Sequence, residues 1–151
     1  MTEFKRPVSV LVVIYTPDLQ VLLLERAAHP GYWQSVTGSV EHTESLIETA
    51  QREVAEETGI MADLAEFKDW QTTNNFEIFA EWRHRYAPGV SQNTEHVFSL
   101  EIPQAHRVRL APNEHRNQCW LPWQHAAEKC FSWSNRAAIL KLPALMNVPP
   151  R

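Results

Sequence analysis

The sequence predicts an α/β fold, with one mixed β-sheet held between helical layers. Three observations predict it. The run VSVLVVIY at Val8–Tyr15 is almost wholly apolar and rich in β-branched residues, as a strand covered on both faces should be. A long stretch at 44–58 carries apolar residues at helical spacing. Strand-like segments lie on both sides of it, and two further helical stretches close the chain, which is the order a layered α/β domain produces.

Each element has a local reason. Thr16, Pro17 and Asp18 make a turn after the first strand, and QVLLLE at 20–25 returns as a second. Residues 27–34 (AAHPGYWQ) read as a loop, and 35–40 lead into the helix at 44–58. Thr43 is placed to cap that helix, and Gly59 suits a left-handed turn at its end. The segment 69–86 reads as one or two strands, Pro88 and Gly89 as a turn, 94–102 as a strand and 117–121 as a short one. Helices are expected at 122–130 and 135–142, the second capped by Ser134, with NVPPR a loose tail.

Neither repeats nor linkers interrupt the 151 residues, so one domain spanning 1–151 is expected. A formal net charge of −4 and the lack of a basic run argue against a nucleic-acid polymer as partner. The apolar run at Val8–Tyr15 is too short to cross a membrane and has no cleavage site after it. Cys119 and Cys130 have no zinc-type spacing, so a reduced, cytoplasmic setting is expected. Oligomeric state is not written in the sequence.

The chemistry is concentrated in residues 38–60, GSVEHTESLIETAQREVAEETGI. On a helix at ~100° per residue, Glu53, Glu56 and Glu57 fall within ~100° of one another. Ile47, Ala50 and Val54 form an apolar stripe beside them, so the acids should sit where the helix meets the body of the fold. Three carboxylates with only Arg52 and Arg26 near them are best compensated by a divalent cation, and oxygen-rich acidic sites suit Mg²⁺ or Mn²⁺ over zinc. The plain alternative is a solvated, charged helix laced by a Glu48–Arg52 pair. Against it stands the fixed spacing of Gly38, Glu44, Arg52, Glu53, Glu56, Glu57 and Gly59, a chance agreement on the order of 10⁻⁸ at one start point.

That spacing resembles the Nudix box, matched in full. The resemblance implies a Nudix-type α/β/α sandwich with a mixed central β-sheet, and a hydrolase of nucleoside-diphosphate-like compounds. It implies Glu53 and Glu57 as metal ligands, and Glu56 as a further ligand or part of the water-activating set. Arg52 would orient the glutamates by ion pairing, with Glu44 its structural partner and Gly38 and Gly59 backbone devices. Nudix enzymes often recruit a further acid from outside the box as ligand or base, and Glu114 in APNEH is the candidate, with Glu77 and Glu95 competing. Mg²⁺ is the expected cofactor, Mn²⁺ substituting.

The flanks resemble one branch of that family: KRP at 5–7, YWQSVTGS at 32–39, FEIF at 76–79, RHRYAPGV at 83–90, NTE at 93–95 and SWSNR at 132–136. The reaction implied is release of pyrophosphate from 7,8-dihydroneopterin 3′-triphosphate in folate synthesis, so the expected partner is a small-molecule triphosphate. Lys5 and Arg26 would supply cations and Thr37 a hydroxyl. Phe79 stands among the aromatic residues available for stacking, while Glu77, Ser132 and Asn135 offer directional hydrogen bonds. Most Trp and Phe side chains in a domain of this size serve the core instead. Arg83 and Arg85, two apart on an expected strand, either bind phosphate or solvate that face. The seven histidines show no ligand spacing and receive no role. Two rival readings stay open: a nucleotide-pool Nudix hydrolase acting on dATP or oxidised dGTP, and a Nudix-fold binding module without catalysis.

Overall fold

The computed structural model describes residues 4–145, so the tail NVPPR lies outside the described residues. Among the described residues, seven strands form one mixed sheet: β1 (Val8–Tyr15), β2 (Gln20–Arg26), β3 (Trp33–Gln34), β4 (Val36–Ser39), β5 (Phe67–Glu77), β6 (Gln92–Glu101) and β7 (His115–Pro122). Three α-helices accompany them, α1 (Leu46–Thr58), α2 (Trp123–Lys129) and α3 (Trp133–Leu145). β1 runs parallel to β6 and antiparallel to β2 and β4, giving the mixed sheet expected.

The strand periodicity of two divides β1 between two cores. Val10, Val12 and Ile14 pack with Ala50 and Val54 of α1 on one face. Leu11, Val13 and Tyr15 pack with Ala126, Ala127, Ile139 and Leu142 of α2 and α3 on the other. An all-apolar strand is the consequence of helices on both sides.

The arrangement of β1 and β2 positions the site. They touch only near their hairpin, at Tyr15 and Val21, and then part. β4 fills the gap against residues 9–12 of β1, and β3 pairs with Leu24 and Glu25 of β2. Ser35, buried between β3 and β4, sits where the sheet divides. Its N–H donates to Asn135 Oδ1 at 2.7 Å, and its hydroxyl accepts from Asn135 Nδ2 at 3.0 Å. α3 therefore pins the split from one side.

Several local expectations change. Ser45, not Thr43, caps α1, because Glu48 three residues on completes a reciprocal capping box with it. Glu48 is thereby turned to the helix start, away from Arg52. Gly59 closes the helix at φ 76°, as expected. Ser134 lies inside α3, and the Ser132 hydroxyl accepts the Asn135 N–H instead. The loop expected at 27–34 ends in β3, and the strand expected at 117–121 begins earlier, at His115.

The segment 69–86 divides into β5 and a 3₁₀ helix, Ala80–Arg85. Arg83 and Arg85 are therefore not on a strand. Arg83 instead closes the turn, donating to Ile78 O at 3.1 Å and Glu77 Oε1 at 2.9 Å. The β5–β6 register shifts between Asp69 and Thr73, with Gln71 left-handed at φ 54°. At the opposite edge, the Gln118 side chain of β7 holds both the N–H and the C=O of Val108, at 2.6 and 2.7 Å.

Candidate active site

α1 buries Thr49, Ala50, Glu53, Val54, Glu57 and Thr58 as one stripe, so two glutamates share the face its apolar residues use. Glu56, one position off that stripe, is exposed. Arg52 binds the acids together. Its Nε donates to Glu44 Oε2 at 2.6 Å, its Nη1 to Glu53 Oε1 at 2.7 Å and more weakly to Glu56 Oε2 at 3.3 Å. Nη2 reaches Ser39 O at 2.9 Å, tying the helix to β4. The Arg52 hydrogen bond holds the Glu44 carboxyl down at about 2, and Glu44 in turn raises Arg52.

Gly38 lies opposite Val10 and so faces α1. A Cβ there would meet Glu53 Cδ at 2.1 Å and Cγ at 2.5 Å. Its role as a backbone device is thus a close approach, and an added methyl would displace the Glu53 carboxylate. Gly38→Ala is therefore expected to disturb the site itself.

Glu57 is wholly buried, and neither of its carboxylate oxygens has a hydrogen-bond partner. Burial, then the neighbouring Glu53, then Glu114 push its carboxyl well above the ordinary range. Burial also raises Glu53, against the pull of Arg52. The Glu114 carboxylate arrives from the turn before β7, and the His115 ring from the first residue of that strand. One ligand atom each from Glu57, Glu114 and His115 lie within 4.8 Å of one another.

His115 received no role from its spacing. A bulge explains why. The β2–β7 register slips between Glu25 and Arg26, so His115 opposite Arg26 points inward while Arg116 and Asn117 both face out. Its ring is 3% exposed, with Nε2 3.3 Å from Gln34 Nε2 and Nδ1 3.7 Å from Glu57 Oε1. Burial first and Arg26 second push its pKa down to about 4, leaving a neutral ring whose Nδ1 has no hydrogen-bond partner. Two orphaned carboxylate oxygens beside an orphaned imidazole nitrogen fit a divalent cation, which would satisfy them together. Glu53 stands outside this trio because its Oε1 is turned to Arg52.

Two cavities meet at the cluster. One, of about 710 Å³, is lined by Lys5, Arg6, Arg85, His42 and His84 together with Glu53. The other, of about 640 Å³, is lined by Phe76, Phe79, Trp82, Phe131 and Leu11, with Arg26 and His115 at its edge. Thr37, Gly38, Ser39 and Glu114 line both. The cleft is therefore cationic on one side and aromatic on the other, with the acidic cluster at the junction.

Of the residues expected at the site, Lys5 lies in the cationic half, Arg26, Glu77, Phe79 and Ser132 in the aromatic half, and Thr37 in both. Thr37 donates its hydroxyl to Val10 O at 3.0 Å, so it offers a ligand acceptor lone pairs rather than the donor expected. Glu77 is an exposed rim residue paired with Arg83. Arg6, Trp82 and His115 were not anticipated, because the segments carrying them meet only in the fold.

The NUDIX domain family matches residues 5–142 of this chain. The chain is 50% identical over 139 residues to dihydroneopterin triphosphate diphosphatase of Escherichia coli K12, covering 90% of this chain and 91% of that protein. It is 39% identical over 146 residues to the Haemophilus influenzae protein of the same name, covering 93% and 90%. The solved structure of the E. coli dihydroneopterin triphosphate pyrophosphohydrolase superposes with a TM-score of 0.80 at 48% identity, covering 91% of this chain and 95% of that one.

Proposed function

The chain belongs to the Nudix hydrolase family, and on that premise we propose that it is a Mg²⁺-dependent pyrophosphohydrolase, Mn²⁺ substituting, acting on 7,8-dihydroneopterin 3′-triphosphate. Its products are the monophosphate and pyrophosphate, and its place is in folate synthesis. The observation that carries this reading is the divided cleft, with cations for a polyphosphate in one half and aromatic walls for a flat ring in the other. The two relatives and the solved structure, each named for this substrate, support it.

In this reading Glu57 and Glu114 would hold the cation, Glu53 would join them through the oxygen that Arg52 leaves free, and His115 would sit at the back of the cluster. A divalent cation bound there would neutralise phosphate charge and lower the pKa of a coordinated water. The chain's own residues do the rest. Arg52 fixes the carboxylates of Glu44 and Glu53, and Glu56 at the exposed end would help activate a water. Lys5, with Arg6 and Arg85, receives the phosphates, and Arg26 extends that field towards the ring half. Phe79 and Trp82, edge to face with centroids 5.3 Å apart, form a wall for the ring. Thr37, Ser132 and Glu77 complete the binding surface as acceptor, floor and rim. The whole of 1–151 serves as one domain in the cytoplasm, a setting supported by two unpaired cysteines.

A guanine nucleotide is the second reading, because guanine and pterin share an amino-pyrimidinone edge. The deciding experiment supplies equal, low concentrations of dihydroneopterin triphosphate and each common dNTP with Mg²⁺, and follows pyrophosphate release. The expected outcome is the highest kcat/KM for the pterin. Preference for a nucleotide would keep the hydrolase and discard the pathway, and no release from any substrate would leave a binding module.

A further inference from the structure

Glu95 is the one acid of the aromatic half that is buried, 7% exposed, on β6 beside Ser9 of β1. It lies on the face of the sheet covered by α2 and α3, away from α1, which explains why it does not join the group of Glu57, Glu114 and His115. Among the described residues no ion pair is formed by it. Asn74 Nδ2 donates to its Oε1 at 3.4 Å, a long bond for a buried carboxylate. Burial raises its pKa, with Ser134 and Asn74 pulling it back. A buried carboxylate without an ion pair, on the wall of a cavity that presents Leu11, Phe76, Phe79 and Trp82 beside its polar lining, is costly unless a ligand brings donors to it.

We infer that Glu95 reads the ring of the substrate, its two carboxylate oxygens accepting from an exocyclic amino group and the adjacent ring N–H. This rests on the reading of the cleft as a pterin triphosphate site and adds the selecting residue. Only a 2-amino-4-oxo-pyrimidine edge presents those two donors side by side, and pterins and guanine carry it. Adenine and cytosine offer an amino group beside a bare ring nitrogen, and thymine a lone N–H between two carbonyls. Of the other acids of this cavity, Glu114 belongs to the cluster with Glu57 and His115, and Glu77 is engaged by Arg83 at the rim and cannot serve the same purpose without losing that pair.

The test compares kcat/KM for dihydroneopterin triphosphate, dGTP and dATP in the wild-type protein, Glu95→Gln and Glu95→Ser, with thermal melts of each. Glu95→Gln replaces one acceptor by a donor, the pattern that matches adenine. It is expected to lose about 100-fold on the pterin and on dGTP while holding or gaining on dATP. Glu95→Ser is expected to lose on the first two alone, and one folded variant suffices. Equal losses on all three substrates would assign Glu95 to packing, and an unchanged order of preference would remove it from recognition. A wild-type protein that prefers dATP would overturn the pterin reading itself, before any variant is considered.

Discussion

The carboxylate of Glu57 lies in the interior with both oxygens lacking a hydrogen-bond partner, beside the buried carboxylate of Glu53. Without a bound cation, ionising it opposes folding, so Glu57→Gln removes a charge and keeps the shape. In chelator, that variant is expected to melt at or above the wild-type temperature, while its turnover with Mg²⁺ falls by more than about 100-fold. Near-wild-type turnover in the folded variant would remove Glu57 from the machinery. Glu53 and Glu57 were legible in the sequence because helix periodicity is local, and four residues bring the same face round again. His115 was not, since the bulge at Arg116 breaks the alternation that would have marked it as inward. Glu95 was legible only as an acid competing with Glu114 for the metal. What buries it arrives from the α3 end of the chain and from 76–82.

At the scale of elements, the start of α1 is fastened twice. The Ser45–Glu48 box satisfies the helix end, and Glu44 joins Arg52 to the Thr49 hydroxyl and the Glu41 N–H. Glu44 titrates at about 2 in the folded protein against 4.5 as a free side chain. The sign follows from that order: its stabilisation is complete above about 4.5 and disappears as pH falls through about 2. Glu44→Gln is therefore expected to be less stable than wild type at neutral pH, with the two urea midpoints converging as the solution is acidified. A difference that stays constant across that range would separate the Arg52 network from this charge. The cap at Ser45 shows how narrowly sequence specifies such detail. Thr43 and Ser45 are both good cap residues, and the acid three places on decides between them.

For the whole molecule, the layering was legible because an all-apolar β1 requires cover on both faces. The segment 69–86 was not, because its strand ends where Arg83 folds back on Glu77 and Ile78, a contact hidden from strand periodicity. The parting of β1 from β2, which makes room for the cleft, is held by Asn135 on Ser35. Asn135→Ala leaves a buried N–H and hydroxyl without partners and is expected to cost about 1–3 kcal/mol in urea unfolding. A loss below about 0.5 kcal/mol would mean that the split stands without this pin. The two outer strands carry a further meaning. β5 is kinked by its register shift and by left-handed Gln71, and it exposes Lys68 and Asp69 beside the kink. β7 has Gln118 engaged with the backbone of Val108, which lays that segment along its flank. A stray chain seeking to add itself to the sheet meets a bent, charged border on one side and an occupied one on the other, so the fold carries its own defence against edge-to-edge aggregation.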